Sequence, residues 1–288
     1  MATSDPPMPM SAIDLHMHST ASDGRLAPAA VVERAAARGV ELMALTDHDT
    51  LGGIAEAQAA ARRQGIRCLA GIELSARWAR GVVHIVGLDI DPSHPALAMG
   101  VTAQQAERRR RAARIGERLE RAGMKGIAAR ATELVGEGVP GRAHFARALV
   151  ADGVVRDMQS AFDRYLQRGR PGYAAVEWAG IEQVVDWIHA AGGVAVFAHP
   201  LRYRLSRGAL RAAIQAFVTA GGTSIEVSNG GGGRDDLVAA AALARRFGLS
   251  ASMGSDFHDP DFRWVEIGRL APIPGDLTPV WTSMEGVA

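Results

Sequence analysis

The chain has 288 residues, 48% of them hydrophobic, so it can bury one large core or two small ones and is too apolar for global disorder. A net charge of +1 argues against a general nucleic-acid coat, and one cysteine, Cys68, excludes an intrachain disulfide framework. That thiol usage fits a reducing cytoplasm, and no apolar run is long enough to span a membrane. Residues 1–10 are rich in Pro and Met, lack a signal-peptide pattern and are expected to form a loose tail. Cys68, in an apolar run, is expected to be a buried core thiol.

The first predicted strand, Ile13–His18, carries His16-x-His18, and its two-residue period turns both imidazoles to one face. A helix follows over Pro28–Arg38, with Pro where a helix start accepts it and Gly39 as the stop. Strand Val40–Leu45 ends in Thr46-Asp47-His48-Asp49, and Asp49 is expected to cap the next helix, Leu51–Gln64. Strand Arg67–Ile72 leads to Glu73, and strand Val82–Asp89 carries His84. Strands alternating with helices predict a parallel sheet with right-handed crossovers.

The alternation then breaks. Helices alone are expected from about 97 to 168, with stretches through the Arg run to Arg121, over Ala128–Val135, from Arg142, and over Asp157–Gln167. Residues 101–125 carry +5, leaving −4 for the remainder, so a basic module sits on a mildly acidic body. This gives a body over 11–98 and 169–288 and a helical insertion over 99–168, expected to cap the body. The alternation resumes with helix Ile181–Ala191, strand Val194–Ala198, helix Arg207–Ala220, strand Ser224–Val227, helix Asp235–Phe247 and strand Leu249–Met253. Seven strands result. Gly230–Gly233 lacks the context of a dinucleotide cradle and is expected to be a flexible loop.

His16, His18, Asp23, His48, Glu73, His84, His199, Asp256 and His258 fall at or near strand ends, where α/β barrels build their sites. Six of the nine histidines are in this set, which scattered core histidines would not produce. Imidazoles and carboxylates without thiolate suit manganese, iron, zinc or magnesium, and nine ligands are enough for two or three ions. Such ions make hydroxide from water near neutral pH and hold phosphoryl oxygens during displacement. Amidohydrolase barrels also open with HxH, but the usual binuclear type needs a strand lysine, and the only lysine is Lys125 in the insertion.

His16-x-His18, Asp23, Thr46-Asp47-His48-Asp49, Gly71-Ile72-Glu73, Val83-His84, Ala198-His199-Pro200 and Gly254-Ser255-Asp256-x-His258 resemble the polymerase-and-histidinol-phosphatase (PHP) family over nearly the whole chain. Gly141–Leu149 and Arg168–Tyr173 narrow the resemblance to the branch of 3′,5′-nucleoside bisphosphate phosphatases and the short-RNA exonuclease RNase AM. The resemblance implies a distorted (βα)₇ barrel and a trinuclear site, often manganese. It implies one metal on His16, His18, Glu73 and Asp256, a second on Asp23, His48 and His258, and a third on Glu73, His84 and His199, with Glu73 bridging.

The implied activity is removal of the 3′-phosphate from a nucleotide such as pAp, leaving a 5′-mononucleotide, through attack by a metal-bridging hydroxide with His48 or His258 assisting. The alternatives are 5′-to-3′ degradation of short RNA, a histidinol-phosphate-type phosphomonoesterase, and a nucleotide sensor without turnover. The expected partner is a small nucleotide or short RNA, with no membrane and no protein partner implied. Arg142 and His144 open a helix after Pro140-Gly141, and helix starts and guanidinium forks both favour phosphate. Arg110, Arg111, Arg202 and Asn229 complete the expected substrate contacts, while His94 and His189 are expected to be structural or solvated.

Overall fold

The computed structural model describes residues 10–79, 81–135 and 138–284. The expected N-terminal tail lies outside the described residues except for Met10, which bridges to Arg269. The chain builds a nearly closed barrel of seven strands in sequence order: β1 (Ile13–Asp14), β2 (Leu42–Leu45), β3 (Arg67–Trp78), β4 (Gly81–Leu88), β5 (Val194–Phe197), β6 (Ser224–Asn229) and β7 (Ser250–Gly254). The ends meet where Leu15 N–H donates to Met253 O at 3.0 Å and Asp256 N–H to His16 O at 2.8 Å. Gly254 permits this closure, because a Cβ there would lie 2.2 Å from the Cβ of His16.

The sheet is mixed rather than parallel. β4 runs antiparallel to both β3 and β5, and every other neighbouring pair is parallel. Two residues separate Trp78 from Gly81, its register partner, and so short a link closes a hairpin but cannot make a parallel crossover. β3 also continues six residues past its expected end at Ile72. The reversal places the start of β4 on the rim where the parallel strands end, which is how His84 reaches that rim.

The outer helices are α1 (Pro28–Ala37), α2 (Ile54–Gln64), α7 (Ile181–Ala190), α8 (Arg207–Thr219) and α9 (Arg234–Phe247). Leu15, Ala44, Leu69, Val86, Val196 and Ala198 pack together inside the barrel. The other strand faces pack on the helices through two further clusters, one of them around Ile72, Ile85, Phe197, Ile214 and Phe217. Cys68 is half-buried against α1 and α2 rather than fully buried, and burial still pushes its thiol up to about 11.

Between β4 and α7 lie α3 (Pro95–Arg121), α4 (Ile127–Glu133), α5 (Arg142–Ala151) and α6 (Met158–Ala161), the last running into a π-helical turn over Phe162–Leu166. These form their own core from Ile115, Leu119, Ile127, Phe145, Leu149, Leu166 and Ala174. α3 straddles both bodies: Leu97 joins the barrel core, and Ile115 and Leu119 join the second one. Among the described residues no helix is long and apolar enough to cross a membrane.

Candidate metal centre and substrate cleft

Glu73 is fully buried on β3 and organises the centre. Its Oε2 lies 2.9 Å from His48 Nδ1 and 3.3 Å from the Nε2 atoms of His16 and His18. Its Oε1 lies 2.9 Å from His199 Nε2 and 3.0 Å from His84 Nδ1. Asp256 Oδ1 is 3.2 Å from His18 Nε2 and 3.5 Å from His16 Nε2, and Asp23 Oδ1 is 3.2 Å from His258 Nε2. All nine residues expected as ligands therefore converge on one place. His199 and Asp256 hold φ of 29° and 53°, a left-handed region uncommon outside glycine and found at positions constrained by a site.

Three groups present ligand atoms all within 4.8 Å of one another: His16, His18, Glu73 and Asp256; His18, Asp23, His48 and His258; and His48, Glu73 and His84. The first coincides with one implied ligand set. The second adds His18, and the third has His48 where the resemblance implies His199.

The donors fit divalent cations better than they fit one another. Glu73 Oε2, His48 Nδ1, His84 Nδ1 and Asp23 Oδ1 are buried without a hydrogen bond among the described residues, although opposite atoms stand about 3 Å away. The His16 and His18 Nε2 atoms face each other at 3.1 Å, an arrangement of lone pairs that requires a proton or a cation between them. Burial alone would raise the Glu73 carboxyl, but the imidazoles of His48, His16 and His84 outweigh it and hold it well below the usual range. Burial likewise lowers His16, yet Glu226, Glu73 and Asp256 raise it well above normal, so the local field favours positive charge.

Sequence reading missed the supporting shell. Glu226, buried in β6, takes His16 Nδ1 on Oε1 at 2.5 Å and accepts from the His199 backbone N–H at 2.6 Å and Asn229 Nδ2 at 2.7 Å on Oε2. A carboxylate behind a ligating imidazole fixes its ring and tautomer. Its sequence signal is a lone acid between the apolar residues Ile225 and Val227 of a predicted strand. Glu226→Gln is expected to weaken metal affinity on the order of tenfold, measured by metal titration, with the fold retained. Unchanged affinity would leave Glu226 as a structural acid only.

Asp49 is not a helix cap, since α2 starts five residues later at Ile54 with Gly53 before it. Its carboxylate instead accepts from the Ser75 N–H at 2.7 Å, Ser75 Oγ at 2.9 Å and Arg108 Nε at 2.7 Å, tying α3 to the barrel. Asp47 accepts from Ser19 N–H and Oγ and from Ser22 Oγ, and so braces the segment that carries His18.

A cleft of about 550 Å³ opens on Asp23, His48 and His84 from one side and on Arg108, Arg111, Arg142 and Arg168 from the other. Tyr173, Phe162 and Trp178 also line it. Burial, then the Arg142 and Arg108 cations, lowers Arg111 to about 9, and its Nε is buried without a hydrogen-bond partner. Burial and Arg108 also lower Arg142, whose guanidinium lies 5.8 Å over the Phe162 ring. Cations crowded together in a partly desolvated cleft favour an anion between them.

The other expected substrate contacts are placed differently. Arg110 is exposed and pairs with Glu107, turned away from the cleft. His144 is buried, its Nδ1 accepts the Gly141 N–H at 3.1 Å, and burial lowers it to about 4. That bond leaves the ring proton on Nε2, beside a small recess shared with Asp23 and His48. Arg202 binds Asp256 Oδ2 at 2.9 Å and the Gly230 carbonyl, and Asn229 supports Glu226. His94 precedes the first turn of α3, and His189 lies in α7 against Gly221, both away from the centre.

A 3′,5′-nucleoside bisphosphate phosphatase of Chromobacterium violaceum is 47% identical over 277 residues, covering 96% of this chain and 97% of its own. The 5′-3′ exoribonuclease Rnm of Escherichia coli is 44% identical, covering 94% and 93%. The solved structure of a Chromobacterium violaceum amidohydrolase with bound sulfate and no metal superposes with a TM-score of 0.91 at 47% identity, covering 96% of this chain and 97% of that one. The PHP domain model matches residues 14–177, more than half of the chain. With the barrel and its histidine–carboxylate centre in place, the chain belongs to the PHP domain family.

Proposed function

We propose that this protein is a metal-dependent phosphatase that removes the 3′-phosphate of 3′,5′-nucleoside bisphosphates such as pAp. The observation that carries this reading is the opening of a cation-binding cluster and a cluster of guanidinium groups onto one cleft. One end suits the phosphate that is cleaved and the other the phosphate that is kept. The bisphosphate phosphatase activity named for the 47% identical relative supports the assignment. The exoribonuclease name of the 44% identical relative supports short RNA as a second substrate of the same site.

His16, His18, Glu73 and Asp256 would hold one ion, Asp23, His48 and His258 a second, and His84 and His199 with Glu73 a third. Manganese is the metal we propose. Bound cations lower the pKa of a water and offset charge on the phosphoryl oxygens. Glu73 and Asp256 supply the negative charge that keeps cations close together. His48, which lines the cleft, and His258, stacked on His18, assist by charge or proton transfer. Arg142, Arg111 and Arg108 hold the 5′-phosphate, His144 Nε2–H offers a donor beside Asp23, and the aromatic wall of Phe162, Tyr173 and Trp178 takes the base. A cytoplasmic location is proposed from the single cysteine.

The test is product analysis. Purified protein incubated with pAp and manganese is expected to release one phosphate and leave a 5′-mononucleotide. Chelation should abolish release and manganese should restore it. Release of the 5′-phosphate instead, or full turnover after exhaustive chelation, would refute the assignment.

A further inference from the structure

A second groove, of about 270 Å³, borders the metal centre away from the guanidinium cleft and shares no lining residue with it. The cleft meets the centre at Asp23, His48 and His84. The groove meets it through Arg202, which binds Asp256, and Asn229, which binds Glu226. Its outer wall is Trp264, 65% exposed and stacked on Phe262 at 5.1 Å with an 18° interplanar angle. Gly231, at φ 73°, takes the left-handed turn that brings the loop alongside Trp264 and Val265. Asp236 also lines the groove, but its carboxylate is engaged by the Gly233 N–H at 3.0 Å.

A stacked aromatic pair beside a groove is a platform for a planar base. Resting on the phosphoester reading above, we propose that this groove holds the nucleoside that follows the scissile phosphate when the substrate is a short RNA. The first nucleotide then sits in the guanidinium cleft with its 5′-phosphate on the arginines, and the rest of the strand leaves along Trp264. Water oxygen adds to phosphorus, the P–O3′ bond breaks, and O3′ takes a proton. The products are a 5′-mononucleotide and a shortened strand bearing a new 5′-phosphate. The bond broken is the one broken in pAp, so one centre serves both substrates and the groove is used only by the longer one. A folded protein partner is disfavoured by the groove's small size and by its place beside Arg202 and Asn229, which hold Asp256 and Glu226.

The experiment compares kcat/KM for pAp and for a 5′-phosphorylated trinucleotide in wild type, Trp264→Ala and Trp264→Phe. Trp264→Ala is expected to lower the RNA value about five- to tenfold, at the low end for an exposed stacking contact, and to leave pAp unchanged. Trp264→Phe should recover most of the loss. An equal change on both substrates, or none on RNA, overturns the proposal. So does a wild-type protein that turns over pAp but not the trinucleotide, and that result leaves the bisphosphate reading standing. Turnover of neither substrate overturns both.

Discussion

Glu73→Gln is expected to cost more activity than loss of any ligand that serves one ion. Five imidazole nitrogens approach the Glu73 carboxylate at 2.9–3.3 Å, and it is the acid shared by two of the three ligand groups. The amide removes one negative charge from a site with no solvent to replace it, and its NH₂ faces either the His48 or the His84 side. Loss of a group that merely supports a metal site costs about 10- to 100-fold in metal affinity or activity, and an acid shared by two ligand groups is expected to cost at least about a hundredfold in kcat/KM. Asp23→Asn, at the edge of a single group, should lose less metal and less activity. Metal content and kcat/KM of both variants check this, with thermal melting to confirm that each is folded. Near-normal turnover and full metal content in Glu73→Gln would sink the bridging assignment.

The convergence of the nine candidate ligands was legible because their chemistry is local. Strand parity turns His16 and His18 to one side, and short motifs at strand ends carry most of the rest. The hairpin was not legible, because the short link that reverses β4 against both of its neighbours leaves no mark in the hydrophobic pattern beyond its brevity. Glu226 and Asp49 were missed or misread for a different reason. Their partners His16, His199, Ser75 and Arg108 lie tens to hundreds of residues away, and only the closed barrel brings them together. Asp49 is a residue type that favours helix caps, but Gly52 and Gly53 delay the helix to Ile54 and tertiary hydrogen bonds take its carboxylate.

The arginine run shows how far periodicity reaches. Gln104, Arg108, Arg111, Ile115 and Leu119 follow spacings of three and four, so they share one face of α3, and Gln104, Ile115 and Leu119 are buried there. Arg110 is 200° around the helix from Arg108 and faces solvent with Glu107. The phase was present in the sequence, but using it required knowing which face met the barrel. That face is set by Asp49 and Trp178, whose carboxylate and ring hold Arg108 at 2.7 Å and 5.6 Å.

Arg142→Ala is expected to separate recognition from chemistry. The side chain is buried in the cleft wall, lies over Phe162, and forms no ion pair among the described residues. It is mounted on α5, outside the barrel that carries the ligands. An unpaired guanidinium beside two other arginines is held at a cost that a bound phosphate relieves. Its removal should therefore damage turnover of a bisphosphorylated nucleotide and spare a small generic phosphate ester, which has nothing to place there. A charge-assisted contact is worth about 1.5–3 kcal/mol, or roughly ten- to a hundredfold in kcat/KM. The loss should fall mainly on KM if the contact is made equally in the ground and transition states, and on kcat if the kept phosphate aligns the scissile one. Equal loss on both substrates would place Arg142 in the chemistry or the fold. No loss on either would mean that Arg111 and Arg108 hold the phosphate without it.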